Sequence, residues 1–333
     1  MGDGGLLGCL PTRMSAPPVR PSWTPLSRRT VLAAGALAFV RWAGAQNAAA
    51  EADQPIIDIL EISGAALELQ FAPGFDAALR SEARAWVQRS ARAVADYFGR
   101  FPVPRAELLL VPVDGDGVGS GVSFGAPSPL IRVRLGRTTT HAQFLDDWIM
   151  VHEMVHLAVP GVPRSQNWLH EGIATYVESV ARTRAGLIAA APMWTELARA
   201  MPQGLPRDGD HGLDHTPTWG RTYWGGAMFC LLADVQIRRR SANRVGLQQA
   251  LSGVLAAGGS YAVRWPVPRI LEVADAAVGQ TTLTELHTLL KDCPTDVNLD
   301  ALWQDLGVPC ASAGAAALRD DAPLAALRRA IAA

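Results

Sequence analysis

The sequence has little charge, little cysteine and almost no lysine. Charged residues make up 18% of its 333 residues, and the formal net charge is −1. Apolar residues make up 49% of the chain, which is too much apolar material for a disordered protein. The chain also lacks the excess of positive charge that would neutralise phosphates, so we expect no nucleic-acid partner.

The sequence also lacks an apolar run long enough for a permanent membrane span. Its candidate run, Thr30 to Val40, has 11 residues, too few to cross a bilayer as a helix. Arg28 and Arg29 precede this run, and Ala43-Gly44-Ala45 ends it. The arrangement resembles a twin-arginine export signal with a signal-peptidase site. The alternatives are an ordinary secretory signal and a retained anchor.

Export would place the mature chain in an oxidising compartment. We expect residues 1–45 to be a signal peptide and the mature protein to begin at Gln46, in the periplasm or outside the cell. Cys9 would leave with the signal, and three of the 4 cysteines would remain. A Cys293–Cys310 disulfide is then one option, and three unpaired thiols are the other.

Apolar periodicity divides the mature chain into a strand-rich half and a helical half. Residues 56–72 predict a hairpin of two strands, and the helical period that follows predicts a helix from Asp76 to Gly99. Further strands are expected around 108–111, 122–124 and 131–135. Helical patterns then dominate at 141–159, 168–184, 222–240 and 245–257.

This order predicts an α+β protein. We expect an N-terminal mixed β-sheet with a helix over 46–140, a helical core over 141–240 and a helical C-terminal subdomain over 241–333. Oligomeric state cannot be predicted from the sequence.

The helix predicted at 141–159 contains His152-Glu153-Met154-Val155-His156. Two histidines four positions apart lie on one face of a helix and can share a metal ion. Leu145, Trp148 and Ile149 precede them on that face, so we expect the ligands to point into the interior. Zinc suits two neutral imidazoles and one carboxylate, with the fourth position left for water.

The next helical segment offers the third ligand. It reads Asn167-Trp168-Leu169-His170-Glu171-Gly172-Ile173-Ala174-Thr175-Tyr176-Val177-Glu178. Glu171 comes 15 positions after His156, close enough for a turn to bring it to the histidines. We therefore expect one zinc ion, held by His152, His156 and Glu171.

These two segments together resemble the gluzincin metallopeptidases, which have thermolysin-like zincin catalytic domains. The second segment is similar to the one that carries the metal-binding glutamate in aminopeptidase N-type and glycyl aminopeptidase-like members. Downstream, Arg221-Thr222-Tyr223-Trp224-Gly225-Gly226-Ala227-Met228 resembles their Tyr-x-x-Gly-Ala helix start. The resemblance spans about residues 140–310 and implies a zinc peptidase in which Glu153 is the general base and Tyr223 donates to the oxyanion.

The sequence departs from these families in three respects. The interval from His156 to Glu171 is shorter, there is no room for a large N-terminal β-sandwich, and the Gly-x-Met-Glu-Asn strand that clamps a free amine is missing. Residues 121–126, Gly-Val-Ser-Phe-Gly-Ala, occupy the analogous place and offer backbone for β-addition of a peptide but no carboxylate. Strict aminopeptidase activity is therefore not predicted.

Four further residues are candidates for supporting roles. Glu178 shares a helix face with Glu171, and could hold the second nitrogen of a zinc-binding histidine or be a surface residue. His211 and His215 lie in a polar loop before Tyr223, where they could line the cleft or be solvated. His170 could face the substrate.

The sequence predicts an exported zinc peptidase acting on a peptide or protein substrate. Two alternatives stay open, a catalytically inactive zinc-stabilised binding protein of the cell envelope and a zinc hydrolase acting on other bonds.

Overall fold

A five-stranded mixed sheet forms the N-terminal part of the protein. The computed structural model describes residues 7–9, 56–309 and 317–333. The strands of this sheet are β2 (Ile56–Ile62), β3 (Ala65–Phe71), β4 (Arg105–Val113), β5 (Val118–Phe124) and β6 (Leu130–Gly136). Their order is β2-β3-β4-β6-β5, so that β2 and β5 are the edge strands.

The connections of the sheet follow from its sequence. Ser63 and Gly64 have positive φ and close the tight turn between β2 and β3, which pair antiparallel. Helix α1 (Ala77–Phe98) crosses from β3 to the parallel strand β4. Asp76 caps the start of this helix, and Gly99 ends it in the left-handed conformation. The predicted hairpin, helix and strands are therefore confirmed.

Helices dominate after β6. In chain order they are α2 (His141–Asp146), α3 (Ile149–His156), α4 (Asn167–Arg184), α5 (Ala190–Ala200), α6 (Gly226–Arg240), α7 (Leu247–Ala256), α8 (Val267–Val278), α9 (Thr282–Leu290), α10 (Leu299–Leu306) and α11 (Ala325–Ala332). Helix α4 packs against α3 on one side and α6 on another, and α3 also packs against α1 and β5. The α+β arrangement is as predicted, and α4 lies at its centre.

The helix predicted over 141–159 is two helices. Asp147 interrupts it, because its carboxylate accepts hydrogen bonds from the backbone of Ile149 and Met150 and from the indole of Trp86. An aspartate that caps the next helix in this way competes with continuation of the first. Leu145 and Trp148 are each 49% exposed, so they do not mark the buried face as the sequence suggested. His152 and His156 are buried, at 5% and 6% exposed, so the prediction that they point into the interior is confirmed.

A short second sheet pairs β1 (Leu7–Cys9) with β7 (Thr295–Val297) in antiparallel register. Strand β1 lies within the predicted export signal, so this pairing would exist only in the uncleaved chain. The remainder of that signal and Cys310 lie outside the described residues. Among the described residues, no helix is long and apolar enough to cross a membrane.

Candidate metal centre

Two histidines and one glutamate meet where α3 packs against the beginning of α4. His152 and His156 are one helical turn apart on α3, and Glu171 lies in the first turns of α4. Each of the three offers a ligand atom, and these atoms lie within 4.8 Å of one another. The three residues predicted as ligands are therefore brought together.

The donor set and its spacing fit a zinc ion. Oε2 of Glu171 lies 3.3 Å from Nε2 of His152 and 3.4 Å from Nε2 of His156. Zinc–ligand bonds of about 2.0–2.2 Å in a tetrahedral site separate neighbouring donor atoms by about 3.4 Å. Two imidazoles and one carboxylate, with the fourth position open, form a typical catalytic zinc site.

The surroundings of Glu171 keep its side chain ionised. Burial on its own would raise the pKa of this carboxyl, but the hydrogen bonds with His152 and His156 outweigh burial and hold the pKa well below its usual range. Asn167 also donates from Nδ2 to Oε1 of Glu171, at 3.2 Å. Glu171 is thus a carboxylate near neutral pH, which is the form that binds a metal.

Glu153 is buried beside these ligands. Its side chain is directed toward β5, where the hydroxyl of Ser123 lies 2.6 Å from Oε2. It follows His152 in the chain, so the residue predicted as general base and one predicted metal ligand occupy successive positions of α3. A carboxylate in this position can accept a proton from a water molecule near the three ligands.

Tyr223 lies across the site in a π-helical turn, Arg221–Gly225, that leads into α6. Its ring is nearly parallel to that of His152, with the centroids 6.3 Å apart. Burial raises the pKa of Tyr223 to about 12, and the carboxylates of Glu171 and Glu153 add to the rise. The phenol therefore stays protonated and can act as a hydrogen-bond donor.

Two glycines allow α6 to approach α4 closely enough for Tyr223 to reach the site. A Cβ on Gly172 would lie 2.3 Å from the backbone of Gly226, and a Cβ on Gly226 would lie 2.1 Å from the carbonyl oxygen of Trp168. Any larger side chain at either glycine would separate the helices. This contact explains why a glycine follows the ligand Glu171 and another opens α6.

His170 is buried against the ligands and does not form part of the donor set. Its ring stacks on that of His156 at 4.4 Å and packs against Tyr261 at 4.5 Å. Burial lowers the pKa of His170 to about 3, with His156 adding to the effect, so this ring is neutral. Tyr261 was not singled out from the sequence, where an isolated tyrosine in a glycine-rich loop gives no signal.

Glu178 does not hold a zinc-binding histidine in this structure. Its carboxylate accepts hydrogen bonds from Nη1 of Arg182 at 2.9 Å and from the hydroxyl of Ser179 at 2.7 Å. Among the described residues, the Nδ1 atoms of His152 and His156 have no hydrogen-bond partner. Burial raises the pKa of Glu178, although Arg182 opposes this.

His211 and His215 lie on an exposed loop and are not part of the metal cluster. His215 hydrogen-bonds Asp292 on the surface, at 2.9 Å. The same loop is tied to the start of α4 by Asp214, which accepts hydrogen bonds from Trp168 and Gln166, both at 2.7 Å, and lies near His287. The loop therefore supports the ligand helix from outside the site.

A cavity of about 680 Å³ opens beside His152 and Tyr223. Its polar lining includes the ion pair of Glu178 and Arg182. Trp148 and Trp219 stand at its edge, 49% and 60% exposed. Its apolar lining consists of Trp148, Ile188, Pro192, Met193, Trp219 and Trp224. An exposed apolar surface of this kind next to a metal site is typical of a ligand pocket.

Comparison with solved structures shows the fold of this chain. An aminopeptidase N family protein from Idiomarina loihiensis superimposes with a TM-score of 0.58 at 16% sequence identity, over 76% of this chain and 49% of that one. The chain has the fold of the part of this protein that it matches. It spans about half the length of that neighbour, and the identity is too low to carry more than the fold.

Other solved structures resemble the chain more weakly. An M1 zinc metallopeptidase from Deinococcus radiodurans has a TM-score of 0.47 at 14% identity, over 72% of this chain and 52% of that one. No protein-family model and no curated protein matches the sequence. The match to the Idiomarina loihiensis protein supports the predicted fold in its coarse form, a mixed sheet followed by helices.

Proposed function

We propose that the protein is a zinc-dependent metallopeptidase that hydrolyses peptide bonds. The observation that supports this most strongly is that five side chains, from α3, α4 and the π-helical turn before α6, lie close together. His152, His156 and Glu171 offer a zinc-binding set. Glu153 follows His152 on α3, and the ring of Tyr223 lies 6.3 Å from that of His152. A site that only held a metal would need neither Glu153 nor Tyr223.

Zinc bound by these three ligands would polarise the scissile carbonyl and acidify a water molecule. Glu153 accepts the proton of that water as general base and passes it to the departing amine. Tyr223 donates a hydrogen bond to the oxygen that becomes negative in the transition state. Donors of this type lower the activation free energy by about 3 kcal/mol. The raised pKa of Tyr223 keeps the donor proton in place.

The surfaces around the site suit a peptide with an apolar side chain next to the scissile bond. One edge of β5 is unpaired in the sheet and lies beside α3, so an extended peptide can add to it through backbone hydrogen bonds. The apolar cavity beside His152 then receives a side chain of the substrate. Phe124 stands on β5 near the place of the missing amine clamp, so action within a chain is favoured over strict removal of N-terminal residues.

Digestion of a peptide library by the zinc-loaded protein tests this function. Mass spectrometry should show cleavage products that are absent after treatment with a chelator and return when zinc is restored. Cleavage positions would distinguish internal from terminal action. Zinc binding without cleavage would favour the inactive binding protein, and hydrolysis of esters or amides other than peptides would favour the second alternative.

We also propose that the protein is exported, with Gln46 as its first mature residue. The support is the pair Arg28-Arg29 before a short apolar run and the Ala43-Gly44-Ala45 site. N-terminal sequencing of material from the cell envelope and the medium tests the cleavage position. Undiminished export of the Arg28→Lys, Arg29→Lys double variant would argue against the twin-arginine route.

A further inference from the structure

The carboxylate of Glu153 is held by the edge strand β5. The Ser123 hydroxyl lies 2.6 Å from Oε2 of Glu153 and 2.9 Å from the backbone carbonyl oxygen of the same residue. A hydroxyl has one proton to donate, and an ionised carboxylate is the stronger acceptor. The proton is therefore assigned to the bond with Oε2.

This hydrogen bond matters because Glu153 is buried. Its exposed fraction is 7%, and that of Ser123 is 9%. A buried carboxylate without a donor is costly and has no fixed orientation. Among the residues that the structure describes, Ser123 is the one that donates a hydrogen bond to the Glu153 carboxylate.

The position two residues earlier on β5 gives Glu153 the room that it occupies. Residues 121 and 123 point to the same face of the strand, because side chains alternate along it. A Cβ on Gly121 would lie 2.5 Å from Cγ and 2.7 Å from Oε1 of Glu153. Only a glycine leaves room here for the Glu153 side chain, while Ser123 holds Oε2.

We infer that Ser123 and Gly121 are positioning residues for the general base, and that β5 thereby fixes the orientation of Glu153 as well as offering an edge to the substrate. The inference rests on the proposed function, because a fixed carboxylate orientation matters if Glu153 is the general base. Ser123 acts through Glu153 and not on the substrate, so replacing it should change kcat and leave KM nearly unchanged. Gly121 acts by having no side chain, which leaves the space that the Glu153 side chain occupies.

The test compares Ser123→Ala with Ser123→Thr. The probe is an internally quenched fluorescent peptide containing the sequence that the wild type cuts fastest in the library. Loss of a hydrogen bond to a charged group should lower kcat of Ser123→Ala by about 10- to 100-fold, with KM within about twofold of wild type. Ser123→Thr keeps the hydroxyl on a residue type favoured in strands and should retain most of the wild-type kcat.

Gly121→Ala and Gly119→Ala form a matched pair on the same strand. At Gly121 the new methyl group must displace Glu153, and kcat should fall by about tenfold or more. At Gly119 the new Cβ would lie 3.4 Å from the carbonyl oxygen of Arg134, an ordinary contact, and it does not approach Glu153. Any effect of Gly119→Ala on the proposed binding of substrate to β5 should therefore appear in KM, with kcat within about twofold of wild type. Zinc content should match the wild type in all four variants. Ser123→Ala and Gly121→Ala should unfold at a lower temperature, because one leaves a buried carboxylate without its donor and the other crowds it. Turnover is therefore compared at a temperature at which all four variants are folded.

Two kinds of failure can be separated. If the zinc-loaded wild type cuts no peptide, the proposed function fails. If the wild type is active and Ser123→Ala has its full kcat, or if Ser123→Ala and Ser123→Thr lose turnover equally, the positioning role is overturned and the function stands. Loss of zinc from Ser123→Ala would also overturn the inference, because the residue would then support the metal site.

Discussion

Replacement of Glu178 by glutamine should destabilise the protein without releasing zinc. The carboxylate and the Arg182 guanidinium are 2.9 Å apart, and each side chain is 8% exposed. Removing one partner of a buried ion pair leaves the other charge uncompensated and costs about 3–5 kcal/mol. Glutamine can still accept a hydrogen bond from Arg182, so the expected loss lies at the lower end, about 3 kcal/mol.

The assay is urea unfolding in the presence of a chelator, so that metal binding does not contribute to the measured stability. Glu196→Gln is the control, because Glu196 lines the same cavity but pairs with Arg199 on the surface. It should leave the unfolding curve unchanged. Zinc content after dialysis completes the comparison. Glu178→Gln should keep its zinc and Glu171→Gln should lose most of it.

Two results would refute this reasoning. A free energy of unfolding for Glu178→Gln within about 1 kcal/mol of the wild type would show that the buried pair carries little energy. Loss of zinc from Glu178→Gln would support the alternative taken from the sequence, in which Glu178 holds the second nitrogen of a zinc-binding histidine.

Three further substitutions test the site and its support. Tyr223→Phe should lower kcat by about 100- to 1,000-fold with KM little changed, because the lost donor stabilises negative charge that is present only in the transition state. A near-normal kcat in steady-state kinetics would show that Tyr223 takes no part in the mechanism. Trp219→Ala removes part of the apolar wall of the cavity. It should lower kcat/KM by about tenfold for peptides with a large apolar side chain beside the scissile bond, and much less for the same peptides with alanine there. Equal losses for both kinds of peptide would contradict this. Burial would raise the pKa of Asp214, but the nearby His287 and the hydrogen bonds from Gln166 and Trp168 outweigh burial and lower it. Above its unfolded pKa of about 4, the carboxylate therefore stabilises the folded protein, and this stability is lost as the pH falls through the lower folded pKa. In urea unfolding, the free energy of unfolding of Asp214→Asn should depend less on pH below about 4 than that of the wild type.

The parts of the fold that depend on local periodicity could be predicted from the sequence. The hairpin, α1 and α4 follow from apolar patterns, and the ends of α1 follow from Asp76 and Gly99, each next to the helix that it ends. The ligand set could be proposed for the same reason, since His152 and His156 are one turn apart and Glu171 opens the next helix. The break at Asp147 escaped detection because the apolar period continues through it.

The contacts that orient the site could not be predicted in this way. The pair of Ser123 and Glu153 joins residues 30 positions apart, and only the order of strands in the sheet brings them together. Glu178 is different, because Arg182 lies four positions later on the same helix and the two commonly pair at this spacing. That local rule predicts the observed ion pair better than the assignment of Glu178 to a zinc-binding histidine.

Turnover by Glu153→Gln, measured beside the wild type at equal zinc content, tests the central claim most directly. Glutamine keeps the size of the side chain and removes no metal ligand, but it cannot accept a proton. The account predicts a folded variant with full zinc that cuts the best library peptide at a rate lower by at least about 100-fold. A zinc-loaded Glu153→Gln with wild-type turnover would contradict the peptidase mechanism proposed for this site.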